Sequence, residues 1–586
     1  MIKKIFIPYI VLIGVLLASC EDQLDPLLDS TYPGEFAYGL PEGTEGILMS
    51  AYMAIPNRFD HFQENFLDVA TDNAVTNAFG TGIYRASTGG INPLSNPVGN
   101  WDQAYTQFRH IHLFLDRGLG DGVIYNVADP TTDSLTRVRL KGEAFFLRAW
   151  WGFRLLQDFG GKTNDGSALG YPIVIATPSP SEERDLEGVR RNTYEECVQQ
   201  VLADCDTAIA YLPLDYNGPD LIVGSINRGR ASQVAAYALK SRVSLYAASP
   251  AYQPGNITQI TGMGQFSITG SAEYQQKWER AARLAQEAVD QVGAPQSLRA
   301  NLFNPNQTPA EFIWRKYFNN RNMELAHYPP YAYGNAHTGP SQNLVDAFPM
   351  QNGFPITDPR SGYDPQDPYQ GRDPRLDLVV FYNGRTLNGS PIETFVGGKD
   401  SRQVNQEATR TGYYLRKWLS VRNNLLDPEN PSNDNHYYAL FRRTEVHLNL
   451  AEAANEAYGP VGTGPGVNQS ALEIIRSIRD AAGIGNDTYV EEVAAMGQDA
   501  FRELIQNERR LELAFENHRF YDMRRWLLPL DETIRGIEIT KDANDELQFS
   551  TIEVEERNFT DVRDYYQPLP YDELMKSPNM INNLGW

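Results

Sequence analysis

A carboxylate lies on the apolar face of a predicted amphipathic helix near the end of this 586-residue chain. Leu504, Leu511 and Phe515 recur at helical spacing within residues 503–526, and Glu508 falls on the same face. A buried carboxylate is costly unless it is paired, so Glu508 is either a catalytic acid or half of a structural ion pair. The ion pair is favoured, because arginines crowd the same segment. They are Arg509, Arg510, Arg519, Arg524 and Arg525.

Aromatic residues supply a second kind of candidate chemistry, and their densest patch is residues 317–337. Tyrosines in a loop stiffened by Pro329 and Pro330 present flat apolar faces and hydroxyl groups at low entropic cost. Sugar rings, with apolar C–H faces edged by hydroxyl groups, fit such a surface. The same tyrosines could instead anchor the loop to the interior. The candidate ligand-binding residues are Tyr317, Tyr328, Tyr331, Tyr333 and His337.

A second loop-like segment, residues 79–101, adds Tyr84 and Arg85 as lesser candidates. It is rich in glycine, asparagine and serine and leads into a predicted helix. Ordered loops on a rigid base commonly carry binding residues.

Patterns typical of enzymes are incomplete in this sequence. Residues 160–163 resemble the end of a phosphate-binding loop, but the first glycine that this motif needs is replaced by Leu156. His110 and His112 are two residues apart, so on a helix they point to different faces and do not predict a metal site. We therefore predict no catalytic residue, cofactor or metal. A glycosidase carboxylate pair stays open as an alternative, because its two acids need only meet in space.

The N-terminus has the features of a lipoprotein signal peptide. Lys3 and Lys4 precede an apolar run, residues 5–17, that is too short for a comfortable membrane span. The small residues before Cys20 complete a lipobox. We predict a signal peptide over residues 1–19, with diacylglycerol on Cys20 as a firm membrane anchor. Residues 20–40 are acidic and turn-rich and suit a lipidated tether.

The net charge limits the possible partners, and the spacing of the cysteines limits the possible disulfides. The formal net charge is −23, which argues against nucleic acid and anionic lipid headgroups. Cys197 and Cys205 lie on the predicted helix 194–212, about 12 Å apart if helical, which is beyond disulfide reach. We expect two packed thiols.

Helical periodicity organises the rest of the chain into four pairs of helices. Alanines at helical spacing, such as Ala235, Ala238, Ala281 and Ala285, let a neighbouring helix approach closely, as in tetratricopeptide repeats. Residues 301–434, between the third and fourth pairs, read as loops, short strands and small helices. The predicted pairs are residues 43–55 with 101–117, 137–159 with 194–212, 229–248 with 274–292, and 436–458 with 469–482.

Several of these segments resemble the landmarks of one family. Residues 507–526, N-E-R-R-L-E-L-A-F-E-N-H-R-F-Y-D-M-R-R-W, are similar to the signature of the SusD/RagB family, the nutrient-binding surface lipoproteins of Bacteroidota. The other matching segments follow the family's order. They are residues 141–160, 411–417 (T-G-Y-Y-L-R-K), 443–456 (R-T-E-V-H-L-N-L-A-E-A-A-N-E) and the ending 568–586, which closes N-N-L-G-W.

The resemblance implies a mostly α fold, SusD-like, with four tetratricopeptide-like helix pairs decorated by loops, short strands and small helices. Residues 41–300 and 301–586 would form its N-terminal and C-terminal regions, packed as one body. It also implies a ligand site built from loops near residues 79–101 and 317–337, although no family residue carries over one to one. Glu21 and Asp22, behind the lipidated cysteine, are similar to a surface-export signal, so we expect the outer membrane, facing outward.

The implied role is not enzymatic. The protein would capture an oligosaccharide, or less often a peptide as RagB-like proteins do, and act as a lid for a SusC-like TonB-dependent transporter. Two alternatives remain at this point: a surface glycoside hydrolase and a structural scaffold whose helix pairs hold other proteins.

Overall fold

The computed structural model describes residues 40–178, 186–254, 272–296, 310–421, 423–485, 487–559 and 561–586. The predicted signal peptide and Cys20 lie outside these residues. The helices are α1 Pro41–Met53, α2 Gly82–Ser87, α3 Trp101–Arg117, α4 Pro130–Phe159, α5 Tyr194–Tyr211, α6 Gln233–Ala248, α7 Ala272–Val292, α8 Asn322–His327, α9 Gln342–Ala347, α10 Pro374–Val379, α11 Arg443–Tyr458, α12 Ala471–Ala482, α13 Tyr489–Met496, α14 Gln498–Glu512, α15 Arg519–Arg525 and α16 Tyr571–Lys576. None of these helices is both long and apolar enough to span a membrane.

Short strands occupy the intervals between the helices. They are β1 Ala74–Thr76, β2 Gly161–Lys162, β3 Ala168–Leu169, β4 Phe312–Asn320, β5 Thr338–Pro340, β6 Val380–Phe381, β7 Thr386–Leu387, β8 Ser390–Pro391, β9 Tyr414–Leu415, β10 Asp434–Arg442, β11 Ile534–Lys541 and β12 Leu547–Glu555. Within the described ranges every sheet has only two strands, and all the pairs are antiparallel: β1–β5, β2–β3, β4–β10, β6–β9, β7–β8 and β11–β12. The fold therefore depends on helix packing.

The four predicted helix pairs are confirmed. α1 packs against α3, α4 against α5, α6 against α7, and α11 against α12. Successive pairs also pack on one another through α3 and α4, α5 and α6, and α7 and α11. Small residues permit this close stacking: a Cβ atom added at Gly142 of α4 would lie 2.8 Å from the side chain of Leu212, just beyond α5. The helices thus form one continuous stacked scaffold.

The structure corrects the prediction of a single helix over residues 503–526. Between α14 and α15 the chain turns, with Phe515 and Asn517 at φ angles of 58° and 63°. The Asn517 side chain fixes this turn: its Oδ1 accepts from the backbone N of Leu67 and its Nδ2 donates to the carbonyl of Phe59, both at 2.8 Å. Tertiary hydrogen bonds to the N-terminal region therefore override the helical spacing.

A second correction concerns residues 436–442, which were predicted to begin a helix. They belong to β10, which pairs along its length with β4, placing Tyr437 opposite Tyr317. The aromatic side chains in H-Y-Y-A-L-F favour a pleated surface over a helix. The helix starts only at Arg443.

Segments that are far apart in the sequence meet around α14 and α15. Each contact is a hydrogen bond between buried side chains, so each holds two distant segments of the chain against one another. The contacts are Lys417–Glu516 at 2.7 Å, Arg525–Glu452 at 2.5 Å, Tyr521–Asp158 at 2.7 Å and Arg519–Asp72 at 2.7 Å. The segment 503–526 is therefore the junction between the helical scaffold and the C-terminal region.

Glu508 lies at this junction with no exposed surface. The prediction of a structural ion pair is confirmed, but the predicted partner is wrong: Glu508 binds Arg375 of α10 and, at 3.2 Å, Arg479 of α12. The arginines of its own segment bind other acids or backbone carbonyls: Arg509 donates to the carboxylate of Asp522 at 2.8 Å, and Arg524 donates to the carbonyl of Asp564 at 3.1 Å. Sequence proximity did not identify the partner because successive helical residues point in different directions.

The two cysteines that follow Cys20 are buried, free thiols, as predicted. Burial raises the pKa of Cys197 to about 12, so this thiol is protonated at neutral pH.

Replacing Glu508 with alanine is expected to destabilise the protein by about 3–5 kcal/mol, because two guanidinium groups would lose a buried counter-charge. The free energy of unfolding from urea titration measures this. Glu503→Ala is the matched control, since Glu503 lies exposed on the same helix. Equal stability of both variants would show that the buried pair contributes nothing.

Candidate functional site

Strand pairing brings together two segments that the sequence had separated by more than two hundred residues. β1 pairs with β5 so that the last residue of β1 faces the first residue of β5. Residues 77–100 leave this pair at the end where residues 329–337, here called the tyrosine loop, arrive. Asn77 ties them: its backbone N donates to the carbonyl of His337 and its side chain to the carbonyl of Ala336, both at 2.9 Å.

The tyrosine loop is anchored from below by Tyr328. This residue is fully buried, and its hydroxyl donates to the carbonyl of Ser420. Glu324 of α8 accepts from the backbone N of the same serine at 2.9 Å. A Cβ at Gly334 would lie 2.3 Å from the carbonyl oxygen of Tyr328, so the loop closes onto its anchor only because this position is glycine. Tyr328, a candidate ligand-binding residue, is therefore a support and not a contact surface.

Tyr331 and Tyr333 have the opposite orientation. Their side chains are 57% and 55% exposed, although both residues lie in a loop that begins with two prolines. The Nζ of Lys399 lies 4.5 Å from the centre of the Tyr331 ring, a cation–π distance that helps to hold the ring in place. The loop thus presents two flat aromatic faces to solvent.

Tyr317 is also exposed, but it belongs to a different surface. It lies on β4, where its hydroxyl donates to Asn435 of β10 at 2.7 Å and its ring is 5.8 Å from that of Tyr437. Tyr317 therefore packs against the neighbouring strand of its own sheet. The structure does not join Tyr317 to the tyrosine loop.

The two lesser candidates lie on α2, which follows β1. Thr81 caps this helix by accepting from the backbone N of Tyr84. Tyr84 is half-buried and packs edge-on against Phe79 with the ring centres 5.1 Å apart, whereas Arg85 is exposed. Phe79 is itself 48% exposed and has the guanidinium of Arg410 at 5.1 Å. Phe79 was not among the candidate residues, although the segment that starts with it was.

His337 is half-buried where the tyrosine loop meets the segment before β1. Its Nδ1 lies 3.3 Å from the carbonyl oxygen of Glu64 and 3.9 Å from the carboxylate of the same residue. Burial lowers the pKa of His337, and repulsion by the neighbouring His327 adds to this, so the ring is neutral at pH 7. A neutral imidazole offers one donor and one acceptor.

A cleft of about 360 Å³ opens between the tyrosine loop and the β7–β8 hairpin. The hairpin turns at Asn388-Gly389, both with positive φ, the arrangement that a two-residue type I′ turn requires. The lining residues are Pro329, Tyr331, Ala332, Tyr333, Leu387, Asn388, Ser390, Pro391, Ile392, Lys399, Asp400, Asn424 and Asp427. The Asn-Gly pair is typical of a two-residue hairpin turn, but nothing in the sequence indicated that the hairpin faces the tyrosine loop.

Backbone strain is concentrated around this surface. Ten non-glycine residues among those described have positive φ; two of them, Tyr333 and Asn388, line the cleft, and three more lie in or beside the tyrosine loop. Such conformations persist only where the surroundings enforce them, and they are common at functional sites. The five are Gln63, Glu64, Tyr333, Ala336 and Asn388.

The surface is suited to binding by stacking and hydrogen bonds. The cleft combines exposed tyrosine rings with amide, carboxylate and ammonium groups in a concave space, which is the usual composition of a small-molecule site. Across the described ranges, no cluster of three His, Cys, Asp or Glu side chains is placed to hold a metal ion.

Comparison with protein-family models identifies the family. A model described as the SusD family matches residues 299–586, and a second, described as starch-binding associating with outer membrane, matches residues 47–245. The chain belongs to the SusD family. The resemblance carried by residues 507–526 and the later landmarks is thus confirmed.

Individual relatives agree with this assignment over nearly the whole chain. SusD-like protein P25 of Formosa agariphila is 22% identical, covering 96% of this chain and 95% of its own length. A SusD-like protein of Bacteroides fragilis superposes with a TM-score of 0.70 at 22% identity, covering 95% of this chain and 99% of its own. A structure titled as a laminarin binding SusD-like protein gives 0.56 at 18% identity, covering 93% and 99%. These structural likenesses establish the SusD fold.

The different roles of the loop tyrosines can be separated by stability. Tyr328→Phe removes the hydroxyl that satisfies the buried Ser420 carbonyl and is expected to cost about 1–3 kcal/mol. Tyr331→Phe removes a hydroxyl from an exposed ring and should change stability by less than about 0.5 kcal/mol. Thermal unfolding followed by circular dichroism compares them. A Tyr328→Phe protein as stable as wild type would show that the Tyr328 hydroxyl does not anchor the loop.

Proposed function

We propose that this protein binds an oligosaccharide at the cleft between the tyrosine loop and the β7–β8 hairpin. The observation that carries the proposal is the pair of exposed rings of Tyr331 and Tyr333 at a polar cleft. The family assignment supports it, since a SusD-like protein of Bacteroides fragilis is titled as carbohydrate binding and another relative as laminarin binding.

The strand pair β1–β5 extends the proposed surface beyond the cleft. The neutral imidazole of His337 and the aromatic pair of Phe79 and Tyr84 lie on segments joined by this pairing. An oligosaccharide is longer than one ring, so a chain of sugars could follow the surface from Tyr331 toward Phe79. Tyr84, Arg85 and His337 stay candidate contacts in this proposal.

We further propose that the protein is lipidated at Cys20, lies on the outer membrane facing outward, and acts as a lid for a SusC-like TonB-dependent transporter. The lipobox and the family description that mentions the outer membrane support this. A tether supplies a high effective concentration, so the lid can open and close through modest contacts with its barrel.

The alternatives differ in what they predict. A glycoside hydrolase would release reducing sugar from its ligand, whereas the proposed binder returns the ligand intact. A RagB-like peptide binder would use the same tyrosines for aromatic or proline side chains, so peptide probes belong in any binding screen.

Removing both exposed rings should weaken sugar binding at least tenfold, if stacking a sugar on one aromatic ring contributes roughly 1–3 kcal/mol, as stacking a nucleic-acid base does. Calorimetry against an oligosaccharide panel first finds a ligand for the wild type. The variant Tyr331→Ala with Tyr333→Ala is then compared with Tyr571→Ala, which removes an exposed tyrosine from α16. Full affinity in the double variant would move the site elsewhere, and released reducing sugar would favour the hydrolase.

The lid proposal predicts that a large β-barrel protein co-purifies from the native membrane in mild detergent. Cys20→Ala should lose both labelled palmitate and most of the barrel, because the tether no longer holds the partners together. Recovery of the wild type alone in several detergents would contradict the partnership. Equal palmitate labelling of the two proteins would contradict lipidation at Cys20.

A further inference from the structure

One wall of the cleft contains an acceptor that the protein itself leaves without a donor. Asp400 lines the cleft and is only 2% exposed. Its Oδ2 accepts from the backbone N of Glu393 at 2.9 Å, but no donor among the described residues reaches its Oδ1. Leaving a buried acceptor unsatisfied is unfavourable. Burial accordingly raises the pKa of Asp400 above its ordinary value.

A second unsatisfied polar side chain lies in the same cleft. The amide of Asn388, at the turn of the β7–β8 hairpin, is buried, and neither its Oδ1 nor its Nδ2 has a hydrogen-bond partner among the described residues. The strained left-handed backbone of this residue, with φ of 54°, holds it there. A ligand that satisfies both residues must donate a hydrogen bond to Asp400 and can both donate to and accept from the Asn388 amide, as a hydroxyl group does.

The charges of the cleft argue against an acidic ligand. Asp400 and Asp427 line it together with a single cation, Lys399. The ammonium of Lys399 is already engaged, since it donates to the Oγ of Ser390 at 2.9 Å and lies over the Tyr331 ring. A carboxylate or sulfate group would meet two carboxylates against one ammonium, and the formal charges that line the cleft sum to −1, which disfavours an anion.

From this geometry we infer that the cleft selects neutral sugars, whose hydroxyl groups donate to the free oxygen of Asp400 while a ring stacks on Tyr331 or Tyr333. This inference rests on the proposed oligosaccharide binding and adds the class of sugar and the residue that determines it. Hydroxyl groups are the donors that neutral sugars have in abundance. A buried acceptor rejects a ligand that lacks the matching donor more strongly than an apolar wall does.

Asp400→Asn tests the role of this oxygen with little disturbance of the loop. The amide oxygen can keep the hydrogen bond from the backbone of Glu393, and the amide NH₂ then occupies the position of the free oxygen. An acceptor is thereby exchanged for a donor of the same size. Asp165→Asn is the control for the chemical change alone: its carboxylate also accepts a backbone hydrogen bond, from Ser167 at 2.9 Å, but it is exposed and does not line the cleft.

Calorimetry would use neutral probes, namely oligosaccharides of β-1,3-glucan, starch and xylan, beside oligogalacturonate as the acidic probe. The wild type and Asp165→Asn are expected to bind a neutral probe equally and more tightly than the acidic one. Asp400→Asn should bind that neutral probe about tenfold more weakly, with an unchanged melting temperature.

Failure of this inference and failure of the proposed oligosaccharide binding give different results. Neutral binding that survives in Asp400→Asn, or tighter binding of oligogalacturonate by the wild type, overturns the inference but leaves oligosaccharide binding in place. Absence of binding to every probe by the wild type counts against the proposed function itself and removes the basis of the inference.

Discussion

Compensation of buried charge is the constraint on which the arrangement of this protein depends. The segment 503–526 buries several guanidinium and carboxylate groups, and each is stable only with its partner in place. Those partners come from distant parts of the chain: Asp72 from the N-terminal region, Arg375 from α10, and Glu452 from α11. A wrong packing of any one of these elements would leave a charge buried and unpaired.

This junction explains how a chain with so little sheet holds its loops rigidly. Lys417 donates to the carboxylate of Glu516 and to the carbonyls of Glu512 and Ala514, so it is tied to the end of α14 and the turn that follows. Three residues further on, the carbonyl of Ser420 accepts the hydrogen bond from the Tyr328 hydroxyl that anchors the tyrosine loop. The proposed binding surface is connected in this way to the buried charges through a short run of residues. A loop that is held in place spends less ordering entropy when a ligand binds.

The helical scaffold could be predicted well from the sequence, because the pattern that indicates a helix lies within the helix itself. Helical spacing of apolar residues and alanines located all four pairs, with errors confined to their ends. It was wrong where a distant partner decides the local structure. The turn at Phe515 and Asn517 depends on hydrogen bonds to Leu67 and Phe59, and no periodicity within the segment reports them.

The candidate site was predictable in part for the same reason. Composition located the tyrosine loop but could not separate the buried Tyr328 from the exposed Tyr331 and Tyr333, since all three share one residue type and one neighbourhood. Asp400 had no sequence signal, because an acid in a loop is ordinary until its surroundings are known. Only the folded chain brings it opposite the tyrosines.

A crystal structure of the protein bound to the oligosaccharide that a binding screen identifies tests the central claim most directly. We expect density for a sugar ring against Tyr331 or Tyr333, with a hydroxyl group within hydrogen-bonding distance of the Asp400 carboxylate. A ligand bound only in another cleft, such as the groove of about 700 Å³ between α3 and α16, would contradict this account of the site.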